Sequence, residues 1–341
     1  DYTGFQPIYG GGSGTPEDPY LIYNTEQLNQ IGLVESEWDK HFKLTSNIDL
    51  SGIEYNIIGY YNGTYEINAP FTGSFDGNGY EISNLTINKD RKHLGLFGYS
   101  ANATFKNVIL REPNIIGTNL GAGALVSYMV RGYIEKCQVF NGFIQGTNSI
   151  GGLVGNCSYG QILNCHSHMT EVIGETYIGG LVGYTSDQYD SVTIENCSAS
   201  GNVTGNSYIG GLVGRAGLFD SNGQIINSYA DSQVHGATSA VGGLVGYSKF
   251  HILNCYSKGS VTGTTAVGGL VGTAVFSADI SDCYSNASVT GEDLVGGLIG
   301  SNNTPLHHCY STGYVEGLTN VGGLVGRHSS TLYYVINCYW D

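Results

Sequence analysis

Two neighbouring segments hold the densest set of side chains able to do chemistry: 184–192 (YTSDQYDSV) and 215–223 (RAGLFDSNG). Between them they offer Tyr184, Asp187, Tyr189, Asp190, Arg215, Phe219 and Asp220. Carboxylates beside an arginine and aromatic rings suit a sugar or a Ca²⁺ ion. A carboxylate pair could also serve as acid and base in glycoside cleavage. The alternative is ordinary solvated loop tips, which vary freely. A second set is a stripe of tyrosines, Tyr229, Tyr256, Tyr284, Tyr310 and Tyr339, each following the same position of a recurring pattern. If the preceding residue points inward, strand alternation turns these rings outward. They would then form a surface for sugars or a partner, or a mutually stacked column that stiffens the fold.

Other constellations are weaker. His166 and His168 share one face of a strand while Cys165 faces the other way, which breaks a three-ligand metal set. His307, His308, His251 and His328 have no carboxylate partner legible in sequence. No nucleophile elbow, P-loop, HExxH or dinucleotide fingerprint occurs, so the expectation leans against an enzyme. Asn-x-Ser/Thr sequons are frequent, as they are in any chain rich in Asn and Ser, and carry no argument alone.

These residues sit on a repeat. The core Val/Ile-Gly-Gly-Leu-Val/Ile-Gly occurs at 150–155, 178–183, 209–214, 241–246, 267–272, 295–300 and 321–326, after degenerate copies at 93–98 (HLGLFG) and 122–127 (AGALVS). The nine starts lie 26 to 32 residues apart. Between cores runs a second ladder, Ile-x-Asn-Cys-Tyr-Ser, whose Cys position holds Val108, Cys137, Cys165, Cys197, Ser228, Cys255, Cys283, Cys309 and Cys338. A third signal, Gly-x-Val-x-Gly, follows it at 201–205, 259–263 and 313–317. Short β-branched runs punctuated by Gly read as strands rather than helices. Three such runs per unit fit one turn of an all-β, right-handed parallel β-helix of about nine or more coils. A propeller blade needs four strands and a longer unit.

Each recurring residue then has an expected role. The Gly pair turns the corner through positive φ. The Asn that precedes the Cys position in six of the units, at 107, 164, 196, 227, 254 and 337, stacks as an amide ladder. The in-register Cys are compact buried thiols, because parallel Cβ vectors suit a disulfide poorly. Cys157 lies off that ladder. The length changes concentrate in the connection from core to Cys, where loops stack along one edge of a solenoid.

The unit resembles the GLUG repeat of large bacterial surface and secreted proteins, found in adhesin-like proteins and regions of immunoglobulin A peptidases. The resemblance covers 93–341, and the lead-in segments 11–22, 44–50 and 71–85 look like those that precede such arrays. It implies a cell-surface or extracellular setting and says little about activity. The expected organisation is a lead and helical cap over 1–45, first irregular coils over 46–92, and the repeat array over 93–341. Within the cap, 24–31 reads as a short helix with Thr25 as N-cap and Leu28 and Ile31 as its apolar pair.

The chain has 341 residues, a formal net charge of −15 and only 12% charged residues. That balance argues against nucleic acid, and no apolar run is long enough to span a membrane. The chain is expected to act as a structural or adhesive solenoid: an adhesin, stalk or filament subunit that associates end to end, with Ca²⁺ as its one conceivable ion. The alternative is a module that binds or degrades polysaccharide at a loop edge, and a glycan or cell-surface partner fits either reading.

Overall fold

The computed structural model describes residues 9–61, 68–118, 121–186, 191–218, 222–275, 279–329 and 334–341. The chain coils as a parallel β-solenoid with two faces: a 19-stranded sheet and a 22-stranded sheet. Among the described residues the named strands pair only in parallel; one isolated antiparallel bridge joins Tyr60 to Ala69. One ladder of the first sheet can be followed from Tyr20–Ile22 through His41–Leu44, Ser74–Asp76 and Thr104–Lys106 to Val335–Ile336. The irregular early sequence therefore shares the register of the repeats. A repeat can supply more strand segments than the three apolar runs suggest: coil 271–296 gives Val271–Val275 and Ile280–Ser281 to the first sheet, and Tyr284–Ser285, Ser288–Thr290 and Asp293–Gly296 to the second.

Alternation fixes what is inside. Phe42, Phe75, Phe105, Ile134, Ile162, Ile194, Ile225 and Ile252 occupy successive in-register positions, each at most 1% exposed. Their strand neighbours, such as Thr104 and Lys106, are only partly buried and point out. One continuous core runs from Ile22 to Cys309.

The Gly pairs work differently from the corner expected of them. Neither glycine of any pair between 151 and 323 has a positive φ. The left-handed corner is taken two residues earlier by non-glycine residues: Ser149 (58°), Tyr177 (62°), Tyr208 (59°), Ala240 (57°), Ala266 (55°) and Leu294 (57°). Such a conformation costs roughly 1–2 kcal/mol for an ordinary L-residue. It is held by the core strand that follows. The glycines are needed for closeness. A Cβ on Gly180 would lie 2.1 Å from the carbonyl oxygen of Gly211 in the next coil, and one on Gly179 would lie 2.0 Å from that of Val182. The first degenerate core also begins one residue later than its sequence suggests. Leu94 pairs with Ala122, and His93 takes the left-handed corner at φ 62°.

The Asn ladder is a second left-handed corner. Asn107, Asn164, Asn196, Asn227, Asn254 and Asn337 have φ between 50° and 55°. Amides bond between coils, Asn254 Nδ2 donating to Asn227 Oδ1 at 2.7 Å and Asn196 Nδ2 to Asn164 Oδ1 at 3.3 Å. All eight cysteines are free, and the seven other than Cys338 are buried. They do more than fill space. The backbone N–H of Cys255 donates to Cys283 Sγ at 3.4 Å, and Ser228 Oγ accepts from Cys197 N in the same way. Ser substitutes for Cys here because either side chain accepts that corner N–H.

The helix Thr25–Ile31 buries Leu28 and Ile31. Its N-cap is Asn24, whose side chain accepts from Gln27 N at 2.9 Å, and not Thr25. Thr25 Oγ1 donates instead to the Asp49 carbonyl. Among the described residues no helix is long and apolar enough to cross a membrane.

Candidate functional site

Of the loop residues singled out in sequence, Asp187, Tyr189, Asp190, Phe219 and Asp220 lie outside the described residues. Tyr184 and Arg215 are described, and the fold brings them together. Both directly follow the last Gly of a core, and they pair in register on the outer side of the first sheet. The guanidinium of Arg215 stands over four rings: Tyr247 at 5.1 Å, Tyr177 at 5.5 Å, and Tyr184 and Tyr208 at 5.8 Å. Its Nη1 donates to Tyr177 Oη at 3.3 Å and its Nε to the Gly217 carbonyl. Tyr177 and Tyr208 reach the cage because they occupy the left-handed corner just before the core. Tyr247 is Arg215's register partner in the following coil. Sequence reasoning missed these three rings, although their places beside the Gly cores marked them. The cage engages the cation inside the protein, each contact being worth about 0.5–1 kcal/mol where exposed.

A related cluster joins Tyr61, His93, Tyr99 and Tyr128, with centroids 5.2–5.5 Å apart. Burial disfavours the imidazolium of His93, and Lys92 and Arg91 repel it, which holds its pKa down to about 4.

The tyrosine stripe is a column of parallel rings. Tyr229–Tyr256, Tyr256–Tyr284 and Tyr284–Tyr310 stack at 4.8, 4.9 and 5.0 Å with planes within 7° of parallel. Tyr339 continues it in register and is 69% exposed. The ring faces meet one another, so what is left for a partner is a row of ring edges and phenolic oxygens. Upstream the tyrosine column holds His166, and the column two residues on holds His168. Their Nδ1 atoms bond Ser198 and Ser200 of the next coil at 2.8 and 2.9 Å, and Cys165 points into the core. Among the described residues no group of three or more His, Cys, Asp or Glu could hold a metal. His307 and His308 do have carboxylates nearby, Asp279 at 3.8 Å and Asp282 at 3.6 Å, supplied by the preceding coil and so invisible to local sequence.

Compared with known proteins, the GLUG motif matches residues 174–204, 205–234, 237–262 and 263–290. Over 286 residues the chain is 32% identical to halomucin of Haloquadratum walsbyi, a match covering 81% of this chain and 3% of that protein. Over 129 residues it is 35% identical to a protein of Evansella cellulosilytica named as a Gly-rich membrane protein, covering 35% of this chain and 14% of that one. The chain thus spans a small part of the length of both relatives. Two solved structures align more loosely. One is of a Bacteroides ovatus protein named as an immunoglobulin A1 protease (18% identity, TM-score 0.47, 98% of this chain and 86% of that one). The other is an IgA1 protease (17%, 0.48, 86% and 21%). At those scores neither bears on this chain's function. The chain thus carries four successive GLUG motifs between residues 174 and 290, set in a parallel solenoid that continues their register on both sides.

Proposed function

We propose that this chain is a rigid structural or adhesive solenoid at the cell surface, working as a stalk, adhesin or filament segment. The observation that carries this reading is the parallel coil-on-coil pairing that runs from Tyr20 to Trp340, with register shifts at 168–171 and 205–207. An axis built from one repeated coil resists bending and sets a fixed distance, as a spacer requires. The relative named as a Gly-rich membrane protein supports a place at the cell boundary. End-to-end association is part of the proposal. Parallel strand edges pair readily with one another, which is how such coils would join. Ca²⁺ held by the carboxylates of Asp187, Asp190 and Asp220 is a further part of it; a chelator should lower the melting temperature, and an unmoved one removes the ion from the account.

Negative-stain microscopy of the purified chain, together with a reducing-end assay on acidic and neutral polysaccharides, tests the main reading. Straight rods that lengthen with protein concentration, without sugar release, are expected. Release of reducing ends would overturn the non-enzymatic reading, and single short rods at every concentration would remove self-association.

A further inference from the structure

Three clefts among the described residues lie on one strip of surface, the outward side of the ladder that precedes each Asn-Cys corner. The largest, about 450 Å³, opens between that ladder and the N-terminal lead. Its floor is formed by His41, Lys43, Ser74, Asp76, Thr104 and Lys106, and its far wall by Pro16, Glu17 and Pro19. The wall is fixed: Ser13 N and Gly14 N both donate to the Asp18 carbonyl at 3.0 Å, and His41 N donates to the Gly14 carbonyl. The second cleft, about 340 Å³, shares Thr104 with the first and continues along the axis past Arg131, Tyr133, Tyr159 and Gln161. A third, about 180 Å³, lies further along the same columns at Gln224, His251 and Asp279. From His41 to Gln161 the register column climbs four coils, roughly 19 Å at the usual strand spacing.

The coils that floor the first two clefts differ in charge from the rest of the molecule. Residues 41–136 carry eight Lys and Arg against eight Asp and Glu, while the rest of the chain carries the whole net −15. Lys43 has no ion-pair partner among the described residues. Lys106 lies 3.7 Å from Glu135 and 5.3 Å from the Tyr133 ring centre, and it stays 45% exposed. Of the two carboxylates lining the first cleft, Asp76 is turned into the corner, its Oδ1 accepting from Asn78 N at 2.8 Å and Asn107 Nδ2 at 3.0 Å. Glu17 stands on the opposite wall. His41 Nδ1 bonds Ser74 Oγ at 2.7 Å, leaving Nε2 for a ligand. Arg131 covers the Tyr159 ring at 5.2 Å, at the margin of the second cleft.

We infer that this strip is a binding groove for a linear acidic polysaccharide lying along the solenoid axis. Lys43 and Lys106 are two coils apart, so their ammonium groups can meet carboxylates on separated sugar residues. Ser74, Thr104 and Gln161 meet hydroxyls, and Tyr133 and Tyr159 flank the chain where the groove shallows. The groove is independent of the end-to-end association proposed above, which could fail while this stands.

Calorimetric titration with oligogalacturonate, oligomannuronate and oligoguluronate, and with a neutral cello-oligosaccharide of equal length, tests it. At least one oligouronate should bind ten-fold or more tightly than the neutral chain, and added NaCl should weaken it. The Lys43→Ala/Lys106→Ala double variant should lose at least ten-fold. Lys258→Ala, on the opposite sheet, should bind as the parent does. These are exposed side chains, and unchanged circular dichroism checks that both variants fold. Failure of all three oligouronates to bind, equal binding of the neutral chain, or an equal loss in Lys258→Ala would overturn the proposal.

Discussion

At the scale of the residue, glycine and its neighbours show why a repeat can look simple and be misread. A glycine pair suggests a turn that needs positive φ, yet the strain falls on Ser149, Tyr177, Tyr208 and their equivalents, and the glycines let successive backbones touch. Gly180→Ala should therefore destabilise the fold by about 1–3 kcal/mol, the usual cost of overpacking, because its Cβ meets backbone that cannot step aside. Chemical denaturation checks this, and an unchanged midpoint would show that the coils can part at no cost. His93 gives a pH test at the same scale. Its folded pKa is depressed to about 4, below the ordinary value near 6.5. Above pH 6.5 both states are neutral and the stability is fully present. As pH falls toward 4 the unfolded chain binds the proton first, and stability drops by something on the order of 1–2 kcal/mol. The melting temperature of the parent should fall more between pH 7 and 4.5 than that of His93→Asn, which keeps a residue tolerant of the left-handed corner. Parallel loss in both would assign the effect to other groups.

At the scale of the element, the ladders divide what was legible from what was not. The Cys and Asn columns could be read directly, because a residue type repeating in step with the core marks one place in successive coils, and both sit where that argument put them. The tyrosine column was legible as an outward stripe with stacking as one of two readings, and ring spacings of 4.8–5.0 Å decide for stacking. The Arg215 cage draws rings from the corner position, the strand after it and the neighbouring coils, so no single stretch of sequence displays it. The groove was hidden for the same reason. Its columns run Lys43–Asp76–Lys106–Glu135, one residue from each coil and some thirty residues apart, with no shared residue type to betray them. His307 and Asp279 are brought within reach by the same spacing. A one-residue shortening in the first core moved its start to Leu94, which pattern matching on Gly alone could not detect.

At the scale of the whole molecule, the account depends on one property: every coil sits on the last, in register, along one axis. The proposed spacer role, the stacked tyrosines and the proposed axial groove all depend on it, and a chain folded any other way would lose all three. Spin labels at Lys106 and, in turn, Glu195, Leu253 and His307 test it most directly, since these positions share an outward column three, five and seven coils apart. A Cys338→Ser background removes the one thiol that is not buried. Pulsed electron–electron distance measurements should give narrow distributions whose centres rise by about 10 Å from each pair to the next, about 4.8 Å for each coil. Distances that fail to grow with coil number, or distributions too broad to separate, would contradict the solenoid and the functions argued from it.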